Sequence, residues 1–340
     1  ARSGSDPMTP RALFGLLVLL VACVGFLLLR LAVGRVPLES GGWQLVLGWP
    51  EDAVRPLRIG AAASAIAAGW SLGLSGLFLQ VLLRNPLASP WILGLSSGAG
   101  LGVMIALAGA SLAGVAAPSG GGLVVPAALG AVGALSITWL LGREQGVLEP
   151  LRLLLVGVIV ASLAGALSMA VQDVVPHGLR GDFIDWMMGR IPEAPASGVL
   201  LTCLVGAATA TVVATLGARW IDLSCLGPDE ARTSGLNLPA LRVALFLGAG
   251  ALTASAVALV GPIGFVGLLA PHLARVLVGP AHRVLVPATC LAGIAMLLGA
   301  EAVRQFIDLG GGRLHVGVLT ALLGGPCFLW LLCTNRGWTR

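Results

Sequence analysis

Apolar residues fill ten long stretches of the chain, at about 12–34, 57–83, 91–110, 122–142, 152–172, 196–217, 241–260, 263–278, 284–303 and 315–333. A helix rises ~1.5 Å per residue and the hydrocarbon core is ~30 Å thick, so about 20 apolar residues make one crossing. The pattern therefore predicts an all-α, polytopic membrane protein with about ten transmembrane helices. The eighth stretch is short and follows Gly261-Pro262, which predicts a helix half-buried against protein rather than lipid. Glycines recur inside the apolar stretches, as at Gly69, Gly73 and Gly76 or Gly94, Gly98 and Gly100. Small residues at such spacings let helices approach closely in lipid.

Three polar segments interrupt the pattern. Residues 35–58 carry Trp43 and Trp49, which suit a membrane interface. Residues 173–193 contain Trp186-Met187-Met188-Gly189. Residues 219–242 read as a short polar helix over Asp229–Ser234, stopped by Gly235, with Asn237-Leu238-Pro239 opening the next crossing.

Composition sharpens this picture. Of 340 residues 57% are hydrophobic and 10% charged, against about a quarter charged in soluble domains, which excludes a water-soluble globule. All 20 basic residues are arginine. Without lysine the chain can form neither a G-x-x-x-x-G-K-[ST] phosphate loop nor a Schiff base, so ATP-powered work requires another chain. The net charge of +5 is read as a topology signal rather than as an affinity for nucleic acid. With the N-terminus inside, twelve arginines fall on the cytoplasmic side and eight outside, placing both termini in the cytoplasm. The six cysteines form no C-x-x-C pair and read as buried thiols. Residues 1–7 resemble a cloning remnant before Met8, so the chain divides into a tail at 1–10, one transmembrane domain at 11–336 and a tail at 337–340.

Candidate chemistry is sparse. Gly73-Leu74-Ser75-Gly76 matches the G-x-S-G pattern of intramembrane serine proteases, but the four histidines, His177, His272, His282 and His315, fall near helix ends or loops. None of them forms an H-x-x-x-H or H-E-x-x-H pair, so no metal site and no catalytic residue is assigned. Ion-coupled transport usually needs an ionisable group at bilayer depth. The one acid near a helix interior, Glu301, has Arg304 one turn later and reads as an i,i+3 pair. An ATP-independent channel or secondary carrier is the alternative to an ATP-driven transporter, and the two differ in partner dependence.

Arg84-Asn85-Pro86-Leu87-Ala88-Ser89-Pro90-Trp91-Ile92-Leu93-Gly94, followed by Ser96-Ser97-Gly98-Ala99, resembles the RNPLAxPxxLGxSxGA segment of the FecCD-type permeases. These are membrane subunits of ABC importers for iron-siderophores, haem and vitamin B12. The resemblance continues at Arg152–Val158, Trp186–Gly189, Gly261–Leu268 with Pro271-His272, His282-Arg283 with Pro287, and Gly317–Pro326. It spans about residues 12–336.

The resemblance implies the type II ABC importer permease fold in a bacterial inner (plasma) membrane, with both termini cytoplasmic. It implies a homodimer moving a metal chelate inward by alternating access. A cytoplasmic ABC ATPase dimer would bind ATP and Mg, an extracytoplasmic substrate-binding protein would deliver cargo, and this chain would bind no cofactor. By the same resemblance, residues 226–241 form the ATPase-coupling segment, with Gly227, Asp229, Glu230, Ala231, Arg232, Gly235 and Leu236 as its coupling residues, among which Glu230-Ala231 with Gly235 resembles an EAA…G motif. Arg55, Arg58 and Arg304 match arginines that hold carboxylates on the binding protein, and Asn85, Pro86 and Leu87 match the cytoplasmic gate. The chain departs from the pattern at Pro150-Leu151, where relatives often have small hydroxyl residues, at His315, where a proline is usual, and in a longer 304–317 loop.

Overall fold

The computed structural model describes residues 9–37, 43–144, 146–307 and 313–334. The expected tails at 1–10 and 337–340 fall outside the described residues except for Thr9 and Pro10. The elements, in order, are α1 (Pro10–Ala32), β1 (Val33–Pro37), β2 (Trp43–Leu47), α2 (Arg55–Leu82), α3 (Leu95–Ala113), α4 (Val124–Leu141), β3 (Arg143–Glu144), β4 (Val147–Leu148), α5 (Pro150–Gln172), α6 (His177–Met187), α7 (Ser197–Leu216), α8 (Ala218–Ser224), α9 (Pro228–Thr233), α10 (Leu238–Val260), α11 (Val266–Val278), α12 (His282–Val303) and α13 (Val316–Thr334). Eight of these are long and apolar enough to cross a membrane, and α11 and α13 are shorter apolar helices. The ten coincide with the ten apolar stretches, so the chain is a multi-pass membrane protein. The bundle has a near face, where α1 begins, and a far face, where it ends.

Helix α2 is the axis of the bundle. The apolar window of α2 is 89% buried, against 22% for α1 and α5 and 17% for α7, so the other helices wrap it and leave their own outer sides uncovered within the chain. It packs against α12, α10, α11 and α7. Lipid tails are as apolar as leucine, so this packing depends on close contact rather than on expelled water. Glycine makes the contact possible: a Cβ on Gly69 would strike the Gly293 carbonyl of α12, one on Gly293 would strike the Gly69 carbonyl, and one on Gly76 would strike Gly267 of α11. Ser75 lies in the same seam. Its Oγ donates to the Ala249 carbonyl at 2.9 Å and lies 2.6 Å from Thr253 Oγ1 on α10. The G-x-S-G match is therefore a helix-packing serine with its hydrogen bonds filled.

Helix α11 has 13 residues, about 20 Å of rise, and begins after the unwound Gly261–Phe265 stretch. The backbone there is covered by protein, as membrane depth requires: Arg190 N donates to the Val260 carbonyl at 2.8 Å, and Gly189 packs against the Pro262 carbonyl. The expectation of a short helix buried against protein holds.

The polar segments contain more structure than their sequences predict. The first folds into the β1–β2 hairpin, antiparallel with Gly34 opposite Val46 and Arg35 opposite Leu45. Small β3–β4 pairing joins α4 to α5, so the fold is helical with two short hairpins. The second segment contains α6, and the third contains α8 as well as the expected short helix. Two hairpin strands of five residues leave too few periods for hydrophobic patterning to distinguish them from loop.

Buried charge ties the far face together. Glu301 is fully buried and Arg304 is 4% exposed, and the expected i,i+3 pair forms with Arg304 Nε 2.5 Å from Glu301 Oε2 and Nη2 2.8 Å from Oε1. Arg30 of α1, 2% exposed, completes a triad with its Nε 3.0 Å from Glu301 Oε1. Arg35 donates to the Gln305 and Ile307 carbonyls at 2.5 Å each. Glu193 sits beside this cluster, paired with Arg313 and 4.0 Å from Arg30. Removing the shared acid leaves Arg304 with no acidic partner among the described residues and Arg30 with Glu193 alone, at 4.0 Å. We expect Glu301→Ala to cost about 3–5 kcal/mol, and Arg55→Ala, which removes an exposed pair with Asp52, to cost under ~1 kcal/mol. Thermal unfolding of the two variants in detergent checks this, and equal midpoints would refute the structural weight given to the triad.

Candidate functional site

The near face carries two polar segments that touch each other. Helix α9 begins at Pro228, where Gly227 N donates to Glu230 Oε2 at 3.4 Å. It stops because Gly235 adopts φ +79°, a left-handed conformation that favours glycine. The turn closes with Leu236 N donating to the Ala231 carbonyl at 3.1 Å, the six-to-one bond of a Schellman cap. Ala231 is fully buried and packs with Leu236 and Leu238 into a small core with Leu223 and Leu241. Thr233 and Ser234 hydroxyls both donate to the Glu230 carbonyl, at 3.0 and 2.8 Å. Asn237 Oδ1 then accepts from Ala240 N at 3.1 Å and caps α10. The result is a one-turn knob with an anchored underside and an exposed face at Glu230, Thr233, Ser234 and Gly235. Asp229 and Arg232 lie on α9, and their side chains fall outside the described residues.

The Asn85–Leu87 segment follows α2 at the same face. Arg84 has φ +46°, so a bulky residue occupies the left-handed position that usually closes a helix with glycine. Its cost is offset by grip: Arg84 Nη2 donates to the Ser224 and Leu226 carbonyls at 2.8 Å each, at the end of α8. Asn85 N donates to the Gln80 carbonyl at 3.1 Å, and Asn85 Oδ1 accepts from Leu87 N at 2.9 Å across Pro86. Pro86 and Leu87 are exposed, and Asn85 is half-buried. The segment that leaves α2 is thus tied through one guanidinium to the carbonyls that lead into α9. Sequence reasoning placed both segments but missed Arg84 as their connection, because backbone sign and long-range acceptors leave no mark in composition.

At the far face the three arginines matched by resemblance take different positions. Arg55 is exposed and pairs with Asp52 at 3.0 Å. Arg58 is 9% exposed, lies over Gly34 of the hairpin, and donates to the Leu31 carbonyl at 2.5 Å. Arg304 is held in the buried triad. Among the three, Arg55 alone offers its charge to solvent. Of the residues at which the chain departs from the FecCD-type pattern, Pro150 opens α5, with Glu149 Oε2 accepting from Arg152 N at 2.5 Å, and Leu151 is exposed. His315 Nε2 lies 3.9 Å from Asp185 Oδ1 of α6, and residues 308–312 of the longer loop fall outside the described residues.

Among the described residues no group of three or more His, Cys, Asp or Glu could hold a metal ion. A helical bundle with a wrapped central helix, apolar outer helices and a polar knob tied to a helix end defines a multi-pass membrane protein. The FecCD transport family model matches residues 17–334, and the chain belongs to this family. It is 35% identical to the vitamin B12 import system permease protein BtuC of Klebsiella pneumoniae over 332 residues, covering 96% of this chain and 95% of that one. It is 35% identical over 289 residues to the hemin transport system permease protein HmuU of Yersinia pestis, covering 82% and 83%. A solved inward-facing structure of a metal-chelate type ABC transporter superposes with a TM-score of 0.80 at 28% identity, covering 95% of this chain and 99% of that one.

If Arg84 fastens α8 to the end of α2, Arg84→Gln should speed amide hydrogen exchange across 224–236 by about tenfold while the membrane-spanning helices stay protected. Unchanged exchange in that window would show the contact to be incidental. Ser75→Ala should leave transport intact and cost ~1 kcal/mol, and loss of all activity in a folded Ser75→Ala protein would revive the protease reading.

Proposed function

We propose that the chain is the membrane-spanning permease of an ATP-driven importer that moves a metal chelate, such as a ferric siderophore, haem or corrinoid, into the cytoplasm. Its relatives at 34–35% identity are permeases for vitamin B12, hemin and cobalamin, and the conformation of its structural neighbour is inward-facing. The observation that carries the reading is the anchored α9 knob joined through Arg84 to the Asn85–Leu87 segment, in a chain matched to FecCD along nearly its whole length.

In this reading two copies of the chain line the pathway in a bacterial inner membrane, and the near face is cytoplasmic. A cytoplasmic ATPase dimer holds ATP and Mg and grips residues 226–241, and an extracytoplasmic binding protein docks on the far face. The chain itself holds no cofactor. The coupling surface is Glu230 with Gly227, Asp229, Arg232 and Gly235, while Ala231 and Leu236 form the anchor beneath. A knob this short moves as a unit, so displacement of α9 pulls on Leu226 and, through Arg84, on the Asn85, Pro86 and Leu87 gate. Two packings of this linkage, one with the gate closed and one with it open, supply the two states that alternating access needs. Arg55 makes the direct charge contact with the binding protein, and Arg58 and Arg304 support the surface from which it projects.

Purification of the tagged chain from its native membrane in mild detergent should recover an ATPase chain with a phosphate-binding loop at about one copy per permease, and the absorbance of bound cargo identifies its class. A clean permease dimer without ATPase would favour an ATP-independent carrier. Gly235→Val places a β-branched residue at φ +79°, at ~1–2 kcal/mol of local strain. The dimer should survive while ATP-driven uptake into vesicles is lost, and full uptake would remove the coupling role from α9.

A further inference from the structure

A cleft of about 510 Å³ opens at the near face between the end of α2, α8 and the α11–α12 turn, lined by residues that include Arg84, Asp222, Cys225, Arg275 and His282. Its charges do not balance. Asp222 is committed to His282, with Oδ1 2.6 Å from Nδ1 and 3.2 Å from the His282 backbone N. Neither arginine has an acidic partner among the described residues. Arg275 is half-buried and, among the described residues, hydrogen-bonds at 3.4 Å to the neutral Gln80 side chain; Arg84 is bonded among the described residues to two carbonyls through Nη2. His282 is 4% exposed and its Nε2 is buried without a hydrogen-bond partner. The wall thus holds two guanidiniums with unused donors, and a half-buried guanidinium without a counter-ion is costly unless an anion joins it.

The depth of the cleft selects the anion. Arg84 lies two residues past α2, Arg275 is in the last turn of α11 and His282 opens α12, so all three sit where membrane-spanning helices end. The start of α1 is at the same level, where Arg11 Nη2 donates to the Val276 carbonyl at 2.8 Å. The ends of membrane-spanning helices lie at the headgroup layer, and, with the near face cytoplasmic as proposed above, a basic pocket between them accepts anionic headgroups. We infer that the cleft binds the phosphate of an anionic lipid headgroup between Arg275 and Arg84. Arg guanidiniums bond phosphate oxygens with charge assistance and often in pairs. A lipid held there touches the base of the Asn85–Leu87 segment and, at Cys225, the lead into α9, so its occupancy stiffens the connection between them. The geometry is that of this chain alone and stands whether or not an ATPase binds it.

Cys225 reports on the cleft. It is exposed and lines the wall, whereas Cys23, Cys203 and Cys290 are buried. The test uses the full chain with the exposed Cys327 and Cys333 changed to serine, in nanodiscs of phosphatidylcholine with or without phosphatidylglycerol. Native mass spectrometry counts retained lipid and a maleimide measures Cys225 reactivity. Phosphatidylglycerol should be retained preferentially and should slow Cys225 labelling by about tenfold. Arg275→Gln should abolish both effects, and Arg283→Gln, an exposed neighbour outside the cleft, should preserve them. Equal labelling in the two lipid mixtures overturns the proposal without using any variant. Protection by inorganic phosphate but not by phosphatidylglycerol assigns the cleft to a free anion and overturns the lipid assignment. Protection only after an ATPase is added assigns it to a protein contact and overturns it as well.

Discussion

Close approach of helices around α2 is the constraint on which the rest of this structure depends. In water, burying α2 would be driven by expelled solvent, but between helices already in lipid that term is small. What remains is dispersion across surfaces in contact, which decays steeply with a gap of a fraction of an ångström. The paired glycines at Gly69 and Gly293 and at Gly76 and Gly267 bring backbone against backbone. Ser75, Thr253 and the Ala249 carbonyl add hydrogen bonds in the same seam. With the axis fixed this tightly, both ends of α2 are held relative to α10, α11 and α12, and polar chemistry at the two faces inherits a rigid frame.

The two faces use charge differently. At the far face Glu301 is shared by Arg30 and Arg304, so α1 and α12 are joined by a buried network with almost no exposure. Such a network gives geometric definition more reliably than net stability, and it leaves the exposed Arg55 standing on a well-defined surface. At the near face Arg84 and Arg275 are only partly engaged. Arg84 grips carbonyls rather than an acid, and Arg275 faces an open cleft. A carbonyl grip can be rearranged at lower cost than a buried ion pair, which suits the face that is proposed to move.

Cys225 illustrates how local this electrostatic field is. Although Cys225 reaches solvent, the surrounding cleft wall partly desolvates its thiol and raises the pKa above the ordinary value, and the nearby Asp222 carboxylate adds to that, while Arg275 and Arg84 pull in the opposite direction. The same four side chains line the cleft, so its field is set jointly from the ends of α2 and α8 and the last turn of α11. The short α9 knob lies immediately downstream, with Ala231 and Leu236 as its only fully or nearly buried described side chains.

The sequence by itself determined the ten apolar helices, the short eighth one, the Gly235 stop and the Glu301–Arg304 pair. Each follows from a rule that acts over one to a few helical turns: run length against bilayer thickness, glycine after a polar turn, or side chains three residues apart. Recognition of the FecCD pattern also came from contiguous residues such as Arg84–Gly94. Tertiary structure alone decided that Arg30 joins Glu301 from 271 positions away, that Arg58 packs against Gly34 while Arg55 remains outside, and that Arg84 takes a left-handed backbone to reach α8. Ser75 shows the same division, since its motif is legible as chemistry and only its neighbours on α10 reveal it as packing. Long-range partners depend on which helix faces meet, and in a chain whose helices are apolar nearly all round the hydrophobic pattern carries no record of facing.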